Sequence, residues 1–254
     1  MNRTVVPVAR RAALQVKLAQ RADEIEQALR LRYQVFVEEL GNRHLYDASG
    51  IERDAYDAYC DHLIVTDADR DCVVGAYRLL PGYRVMEHIG FYSETEFDLS
   101  AFRAVKGLTL ELGRSCVAPE YRNGTVIQRL WEGIADYLQL HSHRYLIGCV
   151  SLPGQDVDAV SELYSLLWKK GVVTERFGIC PLASHRIAGL RQVDIAYSEK
   201  EMNRRLPPLL KGYQWLGAEI AGEPAYDPIF RTTDFFVVLE TANVARRYQR
   251  HFLR

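Results

Sequence analysis

The chain has 254 residues, 48% hydrophobic and 26% charged, with 32 basic and 33 acidic side chains and a net charge of -1. These values exclude a disordered chain, a collagen and a simple coiled coil. The near-neutral balance argues against a dedicated nucleic-acid binder, whose domain would be strongly basic. The length suits one large domain, or two small ones, able to bury a core without a disulfide or metal staple. Cysteines at 60, 72, 116, 149 and 180 make an odd set with no CxxC, so reduced cytosolic thiols are expected, with neither a disulfide framework nor a zinc site. The start, MNRTVVPVARRAALQVK, lacks the apolar core of a signal peptide. No apolar run is long enough to span a bilayer.

Residues 12–19 alternate weakly and predict a short strand. Residues 22–40 carry Ile25, Leu29, Tyr33, Phe36 and Leu40 at spacings of three and four, a helical stripe that Gly41 would stop. Residues 47–61 read as a connector rich in acids. Strands are predicted at 62–68 and 72–80, joined by a turn at Asp69-Arg70-Asp71, and a loop at 81–100. A strand at 108–118 ends before Pro119. A helix follows at about 124–141, with the stripe Val126, Leu130, Ile134 and Leu138. Then come a buried strand at 145–152, a helix at 156–170, an irregular tail and a late strand at 234–240. This mixed order predicts an α/β (α+β) sandwich. His141-x-His143 reads as surface rather than metal-binding.

The unit at 108–141 is the informative one. A strand ending in Arg114-Ser115-Cys116-Val117-Ala118-Pro119, then a turn, then an amphipathic helix, puts free amides and the positive end of a helix dipole in one place. Such an end attracts a phosphate, though an ordinary turn between strand and helix would look the same.

This unit resembles the acyl-donor motif of the GNAT N-acyltransferase superfamily, [Q/R]-x-x-G-x-[G/A], aligned here as Arg122-Asn123-Gly124-Thr125-Val126-Ile127. The arginine is present, but Thr125 and Ile127 stand at the two glycine positions. Bulky side chains there hinder the close backbone approach that a pyrophosphate needs, which favours a single phosphodiester such as the phosphopantetheine of acyl carrier protein. Leu31-Arg32-x-x-x-Phe36, Asp54-x-x-Asp57, Arg78-Leu79-Leu80-Pro81 and Glu111-x-x-Arg114 resemble, in order, acyl-homoserine lactone synthases. The segments LRYQVFVEELG, GFYSETEFDLS, LELGRSCVAPEYRNG, PPLLKGY, GEPAYDPIF and DFFVVL are most similar to ornithine-lipid, or hemolysin-like, N-acyltransferases.

The resemblance implies a GNAT-like mixed central sheet flanked by helices, in one domain over 1–254 with residues 200–254 as a C-terminal extension. It implies transfer of a (3-hydroxy)acyl chain from acyl carrier protein to the α-amine of an amino acid, ornithine by the nearest likeness, giving a lyso-aminolipid with no bound cofactor. An N-acyl amino acid or acyl-homoserine lactone synthase, and a non-catalytic carrier- or membrane-binding module, are the alternatives.

The catalytic set implied is Glu111, Arg114 and Tyr164. Glu111 is either a base, acting directly or through a water, or the partner of Arg114 or Arg78 in an ion pair. Tyr164 would protonate the leaving thiolate, although it stands one turn away from the family register; a packing role is its alternative. Donor contacts are Cys116, Val117, Arg122, Asn123, Gly124 and Thr125, with amides near 116–118 meeting the oxyanion. Cys116 reads as a packing residue rather than a nucleophile. Acceptor contacts are Arg32, Phe36, Asp57, Asp61 and Arg78, which would otherwise brace the first helix on the sheet. Asp227 and Asp234 could read a second amine or cap the local chain. The last ten residues, with four arginines and no acid, suit anionic lipid or acyl carrier protein. The expected place is the cytoplasm, with peripheral contact on the inner membrane face.

Overall fold

The computed structural model describes residues 13–242, so the basic stretch at 245–254 lies outside the described residues. Strand β1 (Leu14–Leu18) keeps Gln15 and Lys17 in water, as an edge strand should. Helix α1 (Ala22–Tyr33) continues as a π-helix, Gln34–Glu39, before Gly41 takes φ 68° and ends it. The Leu40 amide bonds the Val35 carbonyl, five residues back, and the wider turn rotates the stripe. Val35 and Val37 are buried, while Leu40, expected inside, is 63% exposed.

Strands β2 (Asp61–Asp67) and β3 (Cys72–Pro81) form the expected hairpin. The predicted loop after them is instead built from 3-10 turns, including Tyr92–Thr95, and a short strand β4 (Phe97–Asp98). Next come β5 (Thr109–Val117), α2 (Thr125–Leu140), β6 (Tyr145–Pro153) and α3 (Val157–Lys169). The tail is more regular than its sequence suggests. It forms β7 (Val173–Thr174), β8 (Cys180–Pro181), α4 (Glu199–Arg205), α5 (Pro208–Leu216), β9 (Glu219–Ala221), β10 (Ala225–Asp227) and β11 (Thr232–Glu240).

Among the described residues the main sheet runs β1-β2-β3-β5-β6-β11-β9-β7, with β10 paired to β11; β4 and β8 make a second, two-stranded sheet. The late strand β11 is therefore interior, antiparallel to β6 along its whole length. Tyr77 of β3 meets Trp131 of α2, whereas its neighbour Arg78 shares Asp57 with Arg32 of α1. Successive strand residues point to opposite faces, so α1 and α2 enclose the sheet from two sides. The segment 82–108 covers the α1 side farther along. There Phe91, Phe97 and Phe102 pack on Ile147, Phe236 and Val238. His143, read above as surface, is buried between the rings of Tyr83 and Tyr137.

The break in the sheet positions the site. Strands β5 and β6 pair in parallel through Thr109–Glu111 and Tyr145–Ile147, and then part. Gly148 lies at the parting point. A Cβ there would come within 2.4 Å of the Leu112 carbonyl oxygen, so glycine permits the last close approach.

Candidate active site

Past Glu111, β5 loses its neighbour on one side and bulges on the other. Between the pairs Ala76–Cys116 and Arg78–Gly113, two steps along β3 answer three along β5. Arg114 sits in this bulge with φ 52°. The Ala118 amide bonds the Val74 carbonyl at 2.9 Å. In an alternating ladder this turns the Val117 amide away from β3, toward the side that β6 has left. A cavity of about 700 Å³ fills the opening. It reaches from Arg122 and Gly124, past Val117 and Cys116, to Glu111 and on to Asp227 and Asp234.

Glu111 is buried on the cavity wall. Its two carboxylate oxygens accept the Tyr92 amide at 2.7 Å and the Ser93 amide at 2.8 Å. Burial raises its pKa above the ordinary carboxylate value, although these amides and the Arg78 charge favour the ionised form. Among the described residues neither Arg78 nor Arg114 is paired with it; both arginines are committed elsewhere. A carboxyl fixed in place and moved toward neutrality is equipped to take a proton from an amine.

The arginines belong to a closed charge network. Arg32, 1% exposed, pairs with Glu52 and with Asp57 at 2.6 Å. Arg78 reaches Asp54 at 2.6 Å and Asp57 at 3.5 Å; Arg114 reaches Glu52 at 3.3 Å and Asp54 at 3.0 Å. Burial alone would raise the Asp57 carboxyl, but the Arg32 and Arg78 guanidinia hold it at about 2. Of the expected acceptor contacts, Arg78 and Phe36 line the cavity. Arg32 and Asp57 stand behind it in the network. Asp61 pairs with Arg84 at 3.0 Å and accepts the Tyr137 hydroxyl at 2.8 Å, also away from the cavity. Arg114 does line it, with its guanidinium between the rings of Tyr92 and Phe230, 4.4 Å from each centroid.

A second group of acids has no such partners among the described residues. Register places Cys149, Ser151 and Asp234 on one face of β6 and β11. Asp234, 3% exposed, accepts the Ser151 hydroxyl at 3.1 Å on one oxygen, while the other meets no donor among the described residues. Glu96, 1% exposed, meets no protein donor on either oxygen among the described residues. The Glu96 and Asp234 carboxylates and the Cys149 sulfur approach one another within 4.8 Å. Asp227 accepts the Ile229 and Phe230 amides at 2.6 and 3.0 Å, and the Tyr92 hydroxyl at 3.3 Å. Burial, with Asp234 and Asp227 nearby, pushes Glu96 up to about 10; burial, with Asp227, pushes Asp234 up to about 6.

At the far end, Gly124 caps α2 with φ 92°, a conformation that favours glycine. Asn123 Oδ1 accepts the Thr125 amide at 3.0 Å. Gly124 and Arg122 line the cavity; Asn123 and Thr125 stand beside it. Arg122 is held by Glu39 at 2.6 Å and donates to the Val117 carbonyl at 3.0 Å, so it braces the turn as well as facing the cavity. Cys116 is buried, and burial pushes its thiol up to about 12, against a nucleophilic role.

Tyr164 is not brought to this cavity. It is buried on α3, edge-on to Trp168, and borders a separate cleft with Glu175 and Arg191. The family register was offset by one turn, and packing took the residue. The hydroxyls that do reach the cavity include Tyr77 and Tyr213, hydrogen-bonded to each other at 2.8 Å. Neither tyrosine was singled out from sequence, and nor were Glu96, Phe230 or the amides of Tyr92 and Ser93. The available signal was the segment GFYSETEFDLS, where acids sit among aromatics.

Residues 31–132 match the acetyltransferase (GNAT) domain family. An L-ornithine Nα-acyltransferase of Agrobacterium fabrum is 37% identical over 245 residues, covering 92% of this chain and 83% of that protein. Another, from Rhodobacter capsulatus, is 37% identical over 253 residues, covering 94% and 95%. Among solved structures, an N-acyl amino acid synthase from uncultured soil microbes superposes with a TM-score of 0.55 at 10% identity, covering 95% of this chain and 97% of that one. A CoA-dependent acyl-homoserine lactone synthase superposes at 0.53, with 13% identity, covering 93% and 95%. These two likenesses establish the shared fold. The sequence matches establish kinship: the chain belongs to the family of the L-ornithine Nα-acyltransferases.

Proposed function

We propose that the protein acylates the α-amine of ornithine, taking a (3-hydroxy)acyl chain from the phosphopantetheine thioester of acyl carrier protein and releasing a lyso-aminolipid. The observation that carries this reading is Glu111, fixed by two backbone amides on a cavity wall where β5 and β6 separate. The thioester lies in that gap. The amine attacks its carbonyl carbon, and Glu111 takes the proton that the nitrogen sheds. The oxyanion meets the Val117 amide, in a site whose low polarity strengthens the contact. The carbon–sulfur bond then breaks and the thiolate leaves past Tyr77 and Tyr213. Burial raises both phenols, which suits them to donate a hydrogen bond to sulfur while keeping their own protons.

Acyl carrier protein is favoured as donor because Thr125 and Ile127 replace the glycines that would admit a pyrophosphate, and Ile127 lines the cavity. Arg122 and Gly124 hold the remaining phosphate end. Among the described residues no helix is long and apolar enough to cross a membrane. Leu40 and Leu209 are exposed and also line the cavity, which supports a peripheral approach to the inner face of the cytoplasmic membrane, where an acylated product would partition.

The test is incubation of the purified protein with 3-hydroxyacyl carrier protein and ornithine, with masses read out. An Nα-acylornithine is expected. Equal turnover with acyl coenzyme A would overturn the donor assignment, and the absence of any acylornithine from either donor would overturn the reaction.

A further inference from the structure

Resting on the acyl-transfer reading, we propose that Asp227 and Asp234 form the subsite for the side-chain ammonium of the acceptor and so decide which of its two amines is acylated. Buried carboxylates are normally paired or coordinated, and the neighbouring network follows that rule. These acids do not. Among the described residues, one Asp234 oxygen and both Glu96 oxygens meet no hydrogen-bond donor other than each other's carboxyl, and Asp234 and Asp227 line the cavity. The charge that the pocket lacks is positive.

The groups facing it are Glu96 and Tyr92 from segment 92–96, Glu111 and Arg114 from β5, and Cys149 and Ser151 from β6. Arg114 is the cation among them, and it is bonded to Glu52 and Asp54. Burial and the neighbouring Asp234 and Asp227 carboxylates favour the protonated form of Glu96. An arriving ammonium supplies the charge instead and favours release of that proton.

The position explains the choice of amine. Tyr92 spans the two sites, its amide on Glu111 and its hydroxyl on Asp227. The α- and δ-nitrogens of ornithine are five bonds apart, about 6 Å when extended. An amine held as ammonium between carboxylates has no lone pair with which to attack. The α-amine, left at Glu111, does once Glu111 accepts its proton. A metal ion on Glu96, Cys149 and Asp234 is the competing occupant. Burial disfavours the Cys149 thiolate, which weakens it as a ligand.

The experiment compares kcat/KM for ornithine with that for norvaline, the same chain without the δ-amine, in the wild-type protein and in Asp234→Asn and Glu96→Gln. The wild type should prefer ornithine by ~30-fold or more, the scale of a desolvated charge contact. The preference should collapse in Asp234→Asn and weaken in Glu96→Gln, and Nδ-acyl product should appear. A wild-type preference below about tenfold overturns the proposal whether or not the variants fold. So does a preference that survives Asp234→Asn, or one lost to a chelator and restored by zinc. If the wild type acylates neither amino acid, the reaction itself falls; if it acylates both alike, the reaction stands and this subsite falls.

Discussion

Two groups of buried charge lie on the same side of the sheet and differ in their balance. In the first, Arg32, Arg78 and Arg114 meet Glu52, Asp54 and Asp57, three guanidinia to three carboxylates. In the second, Glu96, Asp227 and Asp234 meet no guanidinium among the described residues, and the cavity opens onto two of them. The consequence is written in their protons: Asp57 is held down at about 2, while Asp234 rises to about 6 and Glu96 to about 10. Balanced charge fixes α1 to β3 and β5. Unbalanced charge stores a cost that a ligand can relieve. The contrast separates scaffold from site without reference to any relative.

The largest effect should come from breaking the balanced group. Arg32→Ala leaves Glu52 and Asp57 buried without their main partner, which should cost about 3–5 kcal/mol of stability. Urea unfolding reads it, and a loss below about 1 kcal/mol would show the network to be dispensable. Glu111→Gln addresses the site instead. One of the two backbone amides must then face an amide NH₂, so a modest stability loss is expected. The principal effect should be a fall of about 10²–10⁴ in turnover. Turnover within a few-fold of wild type would remove Glu111 as the base.

These outcomes bear on what could be read from the chain alone. The helices at 22–40, 125–140 and 157–169 were legible because each carries an apolar stripe over three or more turns. Of the break after Glu111, the resemblance supplied only the expectation that amides near 116–118 meet the oxyanion. The tail was illegible because β7, β8, β9 and β10 are two or three residues long and are fixed by distant pairings, such as Val173 with Ile220. Arg32, Asp57 and Arg78 were recognisable as a set, but charge type alone cannot tell a paired arginine from a free one. Glu96 escaped notice because folding of segment 92–96, rather than any local period, delivers it to Asp234. Tyr164 offers the right group one turn away from the family register, and neither residue type nor helical position fixes what the helix faces.

The sharper test of the comparison is one of sign. Asp57 is held below its unfolded value near 3.8, so its contribution is complete above about pH 4 and is lost as pH falls through about 2. Asp234 is held above 3.8, so stability falls as pH rises from about 4 to about 6. Asp234→Asn should therefore stabilise the unliganded protein by about 1–3 kcal/mol at pH 7, and by little at pH 4. Unfolding at the two pH values measures it. Destabilisation at pH 7 would mean that the carboxylate has a partner after all, and the distinction between the two groups would lose its basis.

The smallest change tests a residue that lines the cavity without chemistry of its own. Cys116 lies one rung past the bulge, with burial holding its thiol near 12. A thiol that stays protonated is a poor nucleophile, and attack by the amine on the thioester needs no acyl-enzyme. Cys116→Ala removes the sulfur but keeps the amide of its neighbour Val117 in the ladder. It should cost about 1 kcal/mol through the small void and leave acyl transfer within a few-fold of wild type. Complete loss of transfer in a folded Cys116→Ala protein, with an acyl adduct on residue 116 of the parent seen by mass, would replace direct attack by a two-step route. Glu111 would then be the base for a thiol rather than for an amine.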